Sequence, residues 1–259
     1  MANDEEIYHG TYSYKTDIGR VRKSNEDQAI VLMNSQDEIF MAVCDGMGGA
    51  MKGDVASKLA IDTLSAAFKK KKRYSSHYWD KSWFRRVCKT INHKIYTMGD
   101  HASQSDDPKK NGMGTTMVAV LISPGHMLVA NIGDSRAYRL KNRKLEQLTE
   151  DQTYVAYLVR AGKITPEAAM THPDRHVLMN ALGIYPSLSI SLKDYEYHGE
   201  TIMLCSDGLY NNLEENEIAN ILSTDERSDQ KVMTLIATAN HAGGSDNIGI
   251  ALWECITHD

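Results

Sequence analysis

Four aspartates in this chain each adjoin an apolar, strand-like run and a glycine or serine. They are Asp45, Asp134, Asp207 and Asp246. The end of a strand in a rigid sheet holds a carboxylate with little freedom, and a neighbouring glycine lets the backbone come close to a cation. Hard divalent ions prefer oxygen ligands, so acids without histidine or cysteine partners favour Mg²⁺ or Mn²⁺ over Zn²⁺. The pattern therefore predicts a metal site assembled from distant parts of the sequence.

Each of these aspartates, taken alone, also has an ordinary structural explanation. An Asp-Gly pair commonly forms a turn, and aspartate is a frequent helix N-cap. Asp207 could cap the helix that follows it, and Asp134 could shape a hairpin. A tight hairpin is less compatible with Asp45, because a helical pattern follows it. The recurrence of the pattern, and no single occurrence, favours the metal site.

The segment from Thr16 to Asp27 adds a cation and further acids. Arg22 could clamp a phosphate or a carboxylate with two hydrogen bonds. Glu26 and Asp27 could hold water molecules around a metal ion. The competing interpretation is a solvated surface loop, which composition alone favours.

Strand and helix patterns occur in blocks and do not alternate regularly. The predicted strands are 8–15, 28–34, 39–44, 115–122, 127–131, 137–140, 144–148, 188–195, 201–205 and 248–253. The predicted helices are 54–70, 79–102, 214–222 and 230–241, with a helical, lid-like stretch at 154–169. Strands joined by hairpins, with helices grouped between them, predict an α+β fold with antiparallel sheets.

Composition bounds the class of protein. The chain has 259 residues without a linker-like or repetitive segment, which predicts a single domain over residues 1–259 and, by default, a monomer. A formal net charge of −5 argues against nucleic-acid binding. No apolar run is long enough to span a membrane, and the acidic start of the chain does not resemble a signal peptide. Four widely spaced cysteines without ligand spacing predict reduced thiols in a cytoplasmic protein.

Two charged segments have a functional and a structural interpretation each. The basic run Lys69–Arg73 could be a docking patch, but a solvated helix end suits it better because cations favour the helix C-terminus. The segment His172–His176 could suggest a metal site, but a loop leaving the lid-like stretch is favoured.

The order of short motifs along the chain is more specific than any one of them. The motifs are Val21-Arg22-x-x-Asn25-Glu26-Asp27, Asp45-Gly46-Met47-Gly48-Gly49, Gly112-Met113-Gly114-Thr115-Thr116, Asn131-Ile132-Gly133-Asp134-Ser135-Arg136, Leu148-Thr149-x-Asp151, Ala181-Leu182-Gly183, Ser206-Asp207-Gly208-Leu209 and Ser245-Asp246-Asn247. With them the chain resembles, from about Thr16 to Trp253, the bacterial branch of the metal-dependent type 2C protein Ser/Thr phosphatases.

The resemblance implies a fold and a division of roles. The fold would be a four-layer αββα sandwich of two antiparallel sheets flanked by helix pairs, with a mobile flap at about 152–171. The resemblance implies the following roles: Asp45 bridges two metal ions, the Gly46 carbonyl binds the second ion, Asp207 and Asp246 hold the first, Glu26 and Asp27 act through water, Asp134 with Asp207 forms a third site, and Arg22 grips the phosphate. Arg22, Asp45 and Asp207 would be the catalytic residues.

The resemblance also implies an activity and partners. A water activated by two, or with Asp134 three, Mn²⁺ or Mg²⁺ ions would hydrolyse phosphoserine and phosphothreonine without a covalent intermediate. Phosphorylated proteins, including a cognate Ser/Thr kinase, would be the partners. The alternatives are a catalytically silent relative that binds phosphoproteins or a kinase, and a phosphatase acting on a sigma-factor regulator. The chain departs from the bacterial pattern at Ala50 and Gln152, where histidine is usual.

Overall fold

The structure, a computed structural model, describes residues 8–48, 52–72, 77–102 and 112–256. The strands are β1 (Gly10–Asp17), β2 (Asp27–Met33), β3 (Ile39–Met47), β4 (Gly114–Thr115), β5 (Met117–Ser123), β6 (His126–Ile132), β7 (Arg136–Lys141), β8 (Lys144–Gln147), β9 (Ser191–Glu196), β10 (Thr201–Cys205) and β11 (Ile248–Cys255). The helices are α1 (Lys52–Lys69), α2 (His77–Ala102), α3 (Tyr154–Arg160), α4 (Pro166–Met170), α5 (Asp207–Tyr210), α6 (Glu215–Leu222) and α7 (Ser228–His241). Gly49, Ala50 and Arg73 lie outside the described residues.

The strands form two antiparallel sheets. The first sheet has the order β1-β11-β10-β7-β8. The second has the order β2-β3-β5-β6-β9, and the short β4 pairs with β3. Every strand pairing within them is antiparallel. The predicted α+β fold is confirmed.

Three apolar layers hold the sheets and helices together. In β3, side chains alternate between two of these layers, as the pleat of a strand requires. Phe40 and Ala42 pack against α1 and α2, while Met41 and Val43 pack between the two sheets. On the other side, the first sheet packs against α5, α6 and α7. The layers therefore follow the predicted αββα order, and strand β3, buried over residues 39–44, lies at its centre.

The structure corrects three predicted boundaries. Strand β3 continues to Met47, so Asp45 lies within a strand and not after it. The predicted strand 115–122 is interrupted at Thr116. The lid-like stretch is two short helices, because Gly162 has a positive φ of 65° and Pro166 begins a new helix with Thr165 as its N-cap.

Lys71 corrects the interpretation of the basic run. Its Nζ lies 2.6 Å from Glu38 Oε1 and 2.9 Å from Asp80 Oδ1, and all three side chains are buried. The chain turns just after α1, where the Lys71 N–H donates to the Phe68 carbonyl. The side chain is thereby directed between β3 and α2. The prediction of a solvated helix end was wrong for Lys71.

In the parts of the chain that the structure describes, no helix is both long and apolar enough to cross a membrane.

Candidate active site

The strand register brings the predicted acids to one end of the two sheets. Asp27 at the start of β2 pairs with Asp45 near the end of β3. In the first sheet, Asp207 follows β10 and Asp246 precedes β11. Asp134 lies where the chain crosses from β6 in the second sheet to β7 in the first. Asp134 therefore joins two sheets and does not shape a hairpin.

One cavity of about 330 Å³ collects most of the predicted residues. Its lining includes Arg22, Glu26, Asp45, Gly46, Asp134, Asp207 and Asp246. Asp27 is fully buried beside this cavity, where it is bonded to Ser206, the neighbour of Asp207. The interpretation of Arg22 to Asp27 as a merely solvated loop was therefore wrong.

Asp45 is fixed by two threonines that follow one another. Its backbone N–H donates to Thr116 Oγ1 at 3.0 Å, and its carbonyl accepts from Thr115 Oγ1 at 2.9 Å and from the Thr116 N–H at 2.8 Å. Thr116 Oγ1 also lies 2.6 Å from Ser135 Oγ, next to Asp134. These contacts account for the interruption between β4 and β5, because the Asp45 N–H donates to the Thr116 hydroxyl where a regular ladder would use the Thr116 carbonyl.

Gly46 lies in a contact that admits no side chain. A Cβ on Gly46 would come 2.2 Å from the Gly53 carbonyl oxygen and 2.7 Å from the Glu26 carbonyl oxygen. The Gly46 N–H donates to that same Glu26 carbonyl at 3.1 Å. A Cβ on Gly53 would come 2.7 Å from the Gly46 carbonyl carbon. The start of α1 thus packs directly on the backbone of the Asp45-Gly46 segment.

Asp207 begins helix α5, with Ser206 in the N-cap position. The interpretation of Asp207 itself as a cap is therefore wrong by one residue. Asn211 Nδ2 donates to Asp207 Oδ2 at 3.1 Å. The other carboxylate oxygen, Oδ1, is buried and accepts no hydrogen bond from the described residues. The last residue of α5 also contacts the crossing between β6 and β7, since the Tyr210 hydroxyl donates to the Asp134 carbonyl at 3.1 Å.

Arg22 stands at the mouth of the cavity. Its side chain is 56% exposed, and its Nη2 lies 2.6 Å from Asp246 Oδ2. Asp246 Oδ1 accepts from the Asn247 N–H at 2.8 Å. Asn247 in turn accepts from the Glu26 N–H and donates to the carbonyls of Ile18 and Ser24. A single amide side chain therefore ties the Arg22 loop to the start of β11.

Gln152 joins the segment that carries α3 and α4 to the Asp134 segment. Its Oε1 accepts from the Gly133 N–H at 3.0 Å and from Asn180 Nδ2 at 2.5 Å. Its Nε2 donates to the Asn131 carbonyl at 3.2 Å. The Gln152 N–H and carbonyl bond to Gly133 and Met179 respectively. Gln152 thus closes the base of the loop that carries α3 and α4.

Burial and mutual repulsion oppose ionisation of the clustered acids. Burial first, and then the nearby Asp27, raise the pKa of Asp45 well above its usual range. Burial likewise raises the pKa of Asp27 and Asp134 to about 8, and that of Asp207 to about 6, with neighbouring carboxylates adding to each shift. These carboxylates can therefore ionise together only when a cation compensates their charge.

The donor atoms fit a divalent ion. Asp27 Oδ1 and Asp207 Oδ1 are buried, and within the described part of the chain neither accepts a hydrogen bond. A buried carboxylate oxygen without a donor costs free energy, which a hard cation would offset. As the side chains stand, no three acidic, histidine or cysteine side chains of the described residues close on one point. Asp246 contributes to this, because its Oδ2 is bonded to Arg22.

Sequence reasoning assigned no role to several residues of the site. Thr116, Asn247, His176 and Leu178 also line the cavity, and Ser206 bonds to Asp27. Thr116, Ser206 and Asn247 lie inside the motifs quoted above, so their positions beside the acids were a usable signal. His176 belongs to the segment His172–His176, for which a loop was favoured over a metal site, and the structure places His176 in the lining of the cavity.

Comparisons with known proteins agree with this geometry. A family model described as Protein phosphatase 2C matches residues 20–247. The serine/threonine phosphatase stp of Listeria monocytogenes is 38% identical over 242 residues, covering 93% of this chain and 94% of that protein. The crystal structure of the serine/threonine phosphatase Stp1 from Staphylococcus aureus has a TM-score of 0.88 at 31% identity, covering 100% of this chain and 99% of that chain. The catalytic domain of the phosphatase PstP in complex with two manganese ions has a TM-score of 0.80 at 29% identity, covering 96% and 99%.

Proposed function

The chain belongs to the protein phosphatase 2C family and is a metal-dependent protein serine/threonine phosphatase, and we propose which of its residues bind the metal ions and which bind the substrate phosphate. Phosphorylated proteins are its substrates, and Mn²⁺ or Mg²⁺ is its cofactor. The observation that carries the proposal is the convergence of buried and half-buried aspartates from both sheets on one cavity, with Arg22 at its mouth.

We propose that Asp45, Asp207, Asp246 and the Gly46 carbonyl hold two ions, and that Glu26 and Asp27 support them. The ions, when bound, supply Lewis acidity for the attack of water on phosphorus and neutralise charge on the phosphoryl oxygens. Asp134 with Asp207 would hold a third ion. Support comes from the convergence of these acids on one cavity, from the burial of Asp27 and Asp134, and from the unsatisfied oxygens of Asp27 and Asp207.

Arg22 is proposed to grip the substrate phosphate. Its guanidinium carries a charge at any working pH and presents a planar set of N–H donors to phosphate oxygens. In this structure those donors contact Asp246, so binding of phosphate and metal would exchange one anionic partner of Arg22 for another. Catalysis would then depend on orientation and on charge stabilisation, with Arg22, Asp45 and Asp207 in direct contact with the reacting groups.

The finer setting of the activity is also a proposal. Residues 1–259 would form one catalytic domain with a flap at about 152–171. A Ser/Thr kinase must generate the phosphorylated substrates, and a cognate kinase would itself be one of them. A monomer is proposed as the default state. All four cysteines are free, which supports a reducing, cytoplasmic location.

A test separates this enzyme from a silent phosphoprotein-binding relative. We expect Mn²⁺-dependent hydrolysis of p-nitrophenyl phosphate and of a phosphothreonine peptide, abolished by EDTA and by Asp207→Ala. Asp37→Ala, which removes an exposed turn acid from the far end of β2, is the matched control and should retain activity. Hydrolysis that survives chelation would contradict the assigned mechanism, and binding of the peptide without hydrolysis would favour the silent relative.

A further inference from the structure

An apolar pocket of about 200 Å³ lies directly beside the phosphate cavity. The two share three lining residues, Met47, His176 and Leu178. The far wall of the pocket is formed by Ala181, Ile184, Tyr185 and Asn180, none of which lines the phosphate cavity. Because the two depressions share a wall, an extended peptide whose phosphate occupied the acidic cavity would have neighbouring residues within reach of the apolar pocket.

The pocket is fixed rigidly to the strand segment that carries Asp45. Thr115 and Leu182 exchange backbone hydrogen bonds of 3.1 and 2.9 Å, while Thr115 Oγ1 donates to the Asp45 carbonyl. Asn92 of α2 accepts from the Gly183 N–H at 2.8 Å and donates to the Tyr185 carbonyl at 2.9 Å. The pocket wall and the phosphate cavity are thereby held in one fixed relation.

The wall is also closely packed from behind. A Cβ on Gly114 would lie 2.7 Å from Ile184 Cδ1, so the Ile184 side chain rests on bare backbone. Such support leaves Ile184 little room to withdraw. An aliphatic group that enters the pocket would meet a preformed surface, which lowers the cost of ordering on binding.

The side-chain amide nitrogen of Asn180, on the far wall, is already engaged. Asn180 Nδ2 donates to Gln152 Oε1 and to the Ser189 carbonyl, which uses both of its hydrogens. The Tyr185 side chain is 54% exposed. Met47, Leu178 and Ile184 line the same pocket with apolar atoms. A ligand gains here by covering apolar surface and finds no free amide donor on Asn180.

We propose that this pocket, lined by Ile184, Tyr185 and Ala181, binds a hydrophobic side chain of the substrate protein that lies close in sequence to the phosphorylated serine or threonine. The inference rests on the phosphatase activity and adds a preference within it. An extended peptide advances about 3.3–3.6 Å per residue, so the shared wall places this side chain within about three positions of the phosphate.

The experiment compares phosphothreonine peptides of one length in which every flanking position is serine, or in which leucine replaces serine at a single position from three before to three after the phosphothreonine. At one of these positions, leucine should raise kcat/KM by roughly tenfold, the gain typical of filling a small hydrophobic pocket. If the all-serine peptide is not hydrolysed, the phosphatase function itself fails. If it is hydrolysed and no leucine changes kcat/KM by more than about twofold, the pocket proposal is overturned.

Variants locate the preference. Tyr185→Ser and Ile184→Ser should each reduce the leucine gain while hydrolysis of the all-serine peptide and of p-nitrophenyl phosphate stays near the wild-type rate. Met179→Ser is the matched control, since Met179 is 49% exposed and belongs to neither lining, and it should keep the full gain. A gain that persists in both pocket variants, or that Met179→Ser removes equally, would contradict the assignment. Thermal melting of Tyr185→Ser, whose exposed side chain contributes little to folding, checks that the fold is intact.

Discussion

The Ser206 hydroxyl donates to Asp27 Oδ2 at 2.6 Å, although 179 positions separate the two residues along the chain. Ser206 follows β10 in the first sheet, and Asp27 begins β2 in the second. Ser206 Oγ also accepts from the Gly249 N–H at 2.8 Å. One buried hydroxyl therefore bridges the two sheets directly beneath the acid cluster.

Removal of that hydroxyl should weaken both folding and metal binding. Ser206→Ala leaves Asp27 without its hydrogen-bond donor, and we expect the free energy of unfolding to fall by about 1–3 kcal/mol. The concentration of Mn²⁺ needed for half-maximal activity should rise. Urea unfolding and metal titration measure the two effects. Ser223→Ala is the control, since its hydroxyl bonds only to a carbonyl of its own helix end, and a similar loss there would refute the specific role.

Two glycines should respond in opposite ways to the same change. Gly53→Ala places a Cβ 2.7 Å from the Gly46 carbonyl carbon, so the Asp45-Gly46 segment must shift and kcat/KM should fall at least about tenfold. Gly99→Ala in α2 meets only ordinary contacts, starting at 3.4 Å, and should stabilise the protein by about 0.5–1 kcal/mol through helix propensity. Equal effects of the two substitutions on activity would contradict the close packing of α1 on Gly46.

Gln152 should matter for the flap more than for the metal. Gln152→Ala removes bonds to Gly133, Asn131 and Asn180, which close the base of the flap. We expect a higher KM for phosphopeptides and faster proteolysis within 154–178, with little change for p-nitrophenyl phosphate. Gln147→Ala is a suitable comparison, because Gln147 bonds to Asp151 but not to the flap base. An unchanged proteolysis pattern would argue against the closure role.

Arg22→Ala should affect phosphate and metal in opposite directions. Loss of the guanidinium should weaken inhibition by inorganic phosphate and raise KM, because a charged bidentate donor is lost. The same change frees Asp246 and removes a positive charge near the ions, so Mn²⁺ affinity should stay equal or increase. Lys23→Ala changes the net charge equally at a position outside the cavity. If Lys23→Ala changed phosphate inhibition, KM and Mn²⁺ affinity in the same way, the effect of Arg22 would be one of net charge and not of direct phosphate binding.

Stability of the metal-free protein should fall as pH rises. Burial raises the pKa of Asp27 to about 8, against about 3.9 for an unfolded aspartate, so between these values the native state binds the extra proton. Bound Mn²⁺ keeps these carboxylates ionised in the native state and removes this dependence. The rise in Tm caused by Mn²⁺, relative to EDTA at equal ionic strength, should therefore be larger at about pH 7.5 than at about pH 5. A rise independent of pH would contradict the buried-acid account.

The fold was largely predictable because its strands carry strong local signals. Predicted segments such as 39–44 and 201–205 are continuous apolar runs, and both are strands in the structure. The break at Thr116 was not predictable, because it depends on hydrogen bonds to Asp45, 71 residues away. The buried position of Lys71 was missed for the same reason: its partners Glu38 and Asp80 come from other elements.

In the site too, features with a local sequence signal were predictable and contacts between distant residues were not. The predicted acids and Arg22 do meet at one end of the sheets, since each adjoins a recognisable strand or motif. Their contacts could not be predicted, because these depend on which strand lies beside which. Ser206 bonds across the sheets to Asp27, and His176 reaches the cavity from a loop whose path no local pattern determines.

The contribution of both sheets to one acid cluster has a consequence for how this enzyme can fail. Asp27 and Asp45 lie in strands of the second sheet, Asp207 and Asp246 adjoin strands of the first, and Asp134 lies in the crossing between them. The site is therefore complete only when both halves of the chain are folded and the two sheets are packed together. A chain in which the sheets do not pack together should remove no phosphate, instead of removing it slowly or from the wrong proteins.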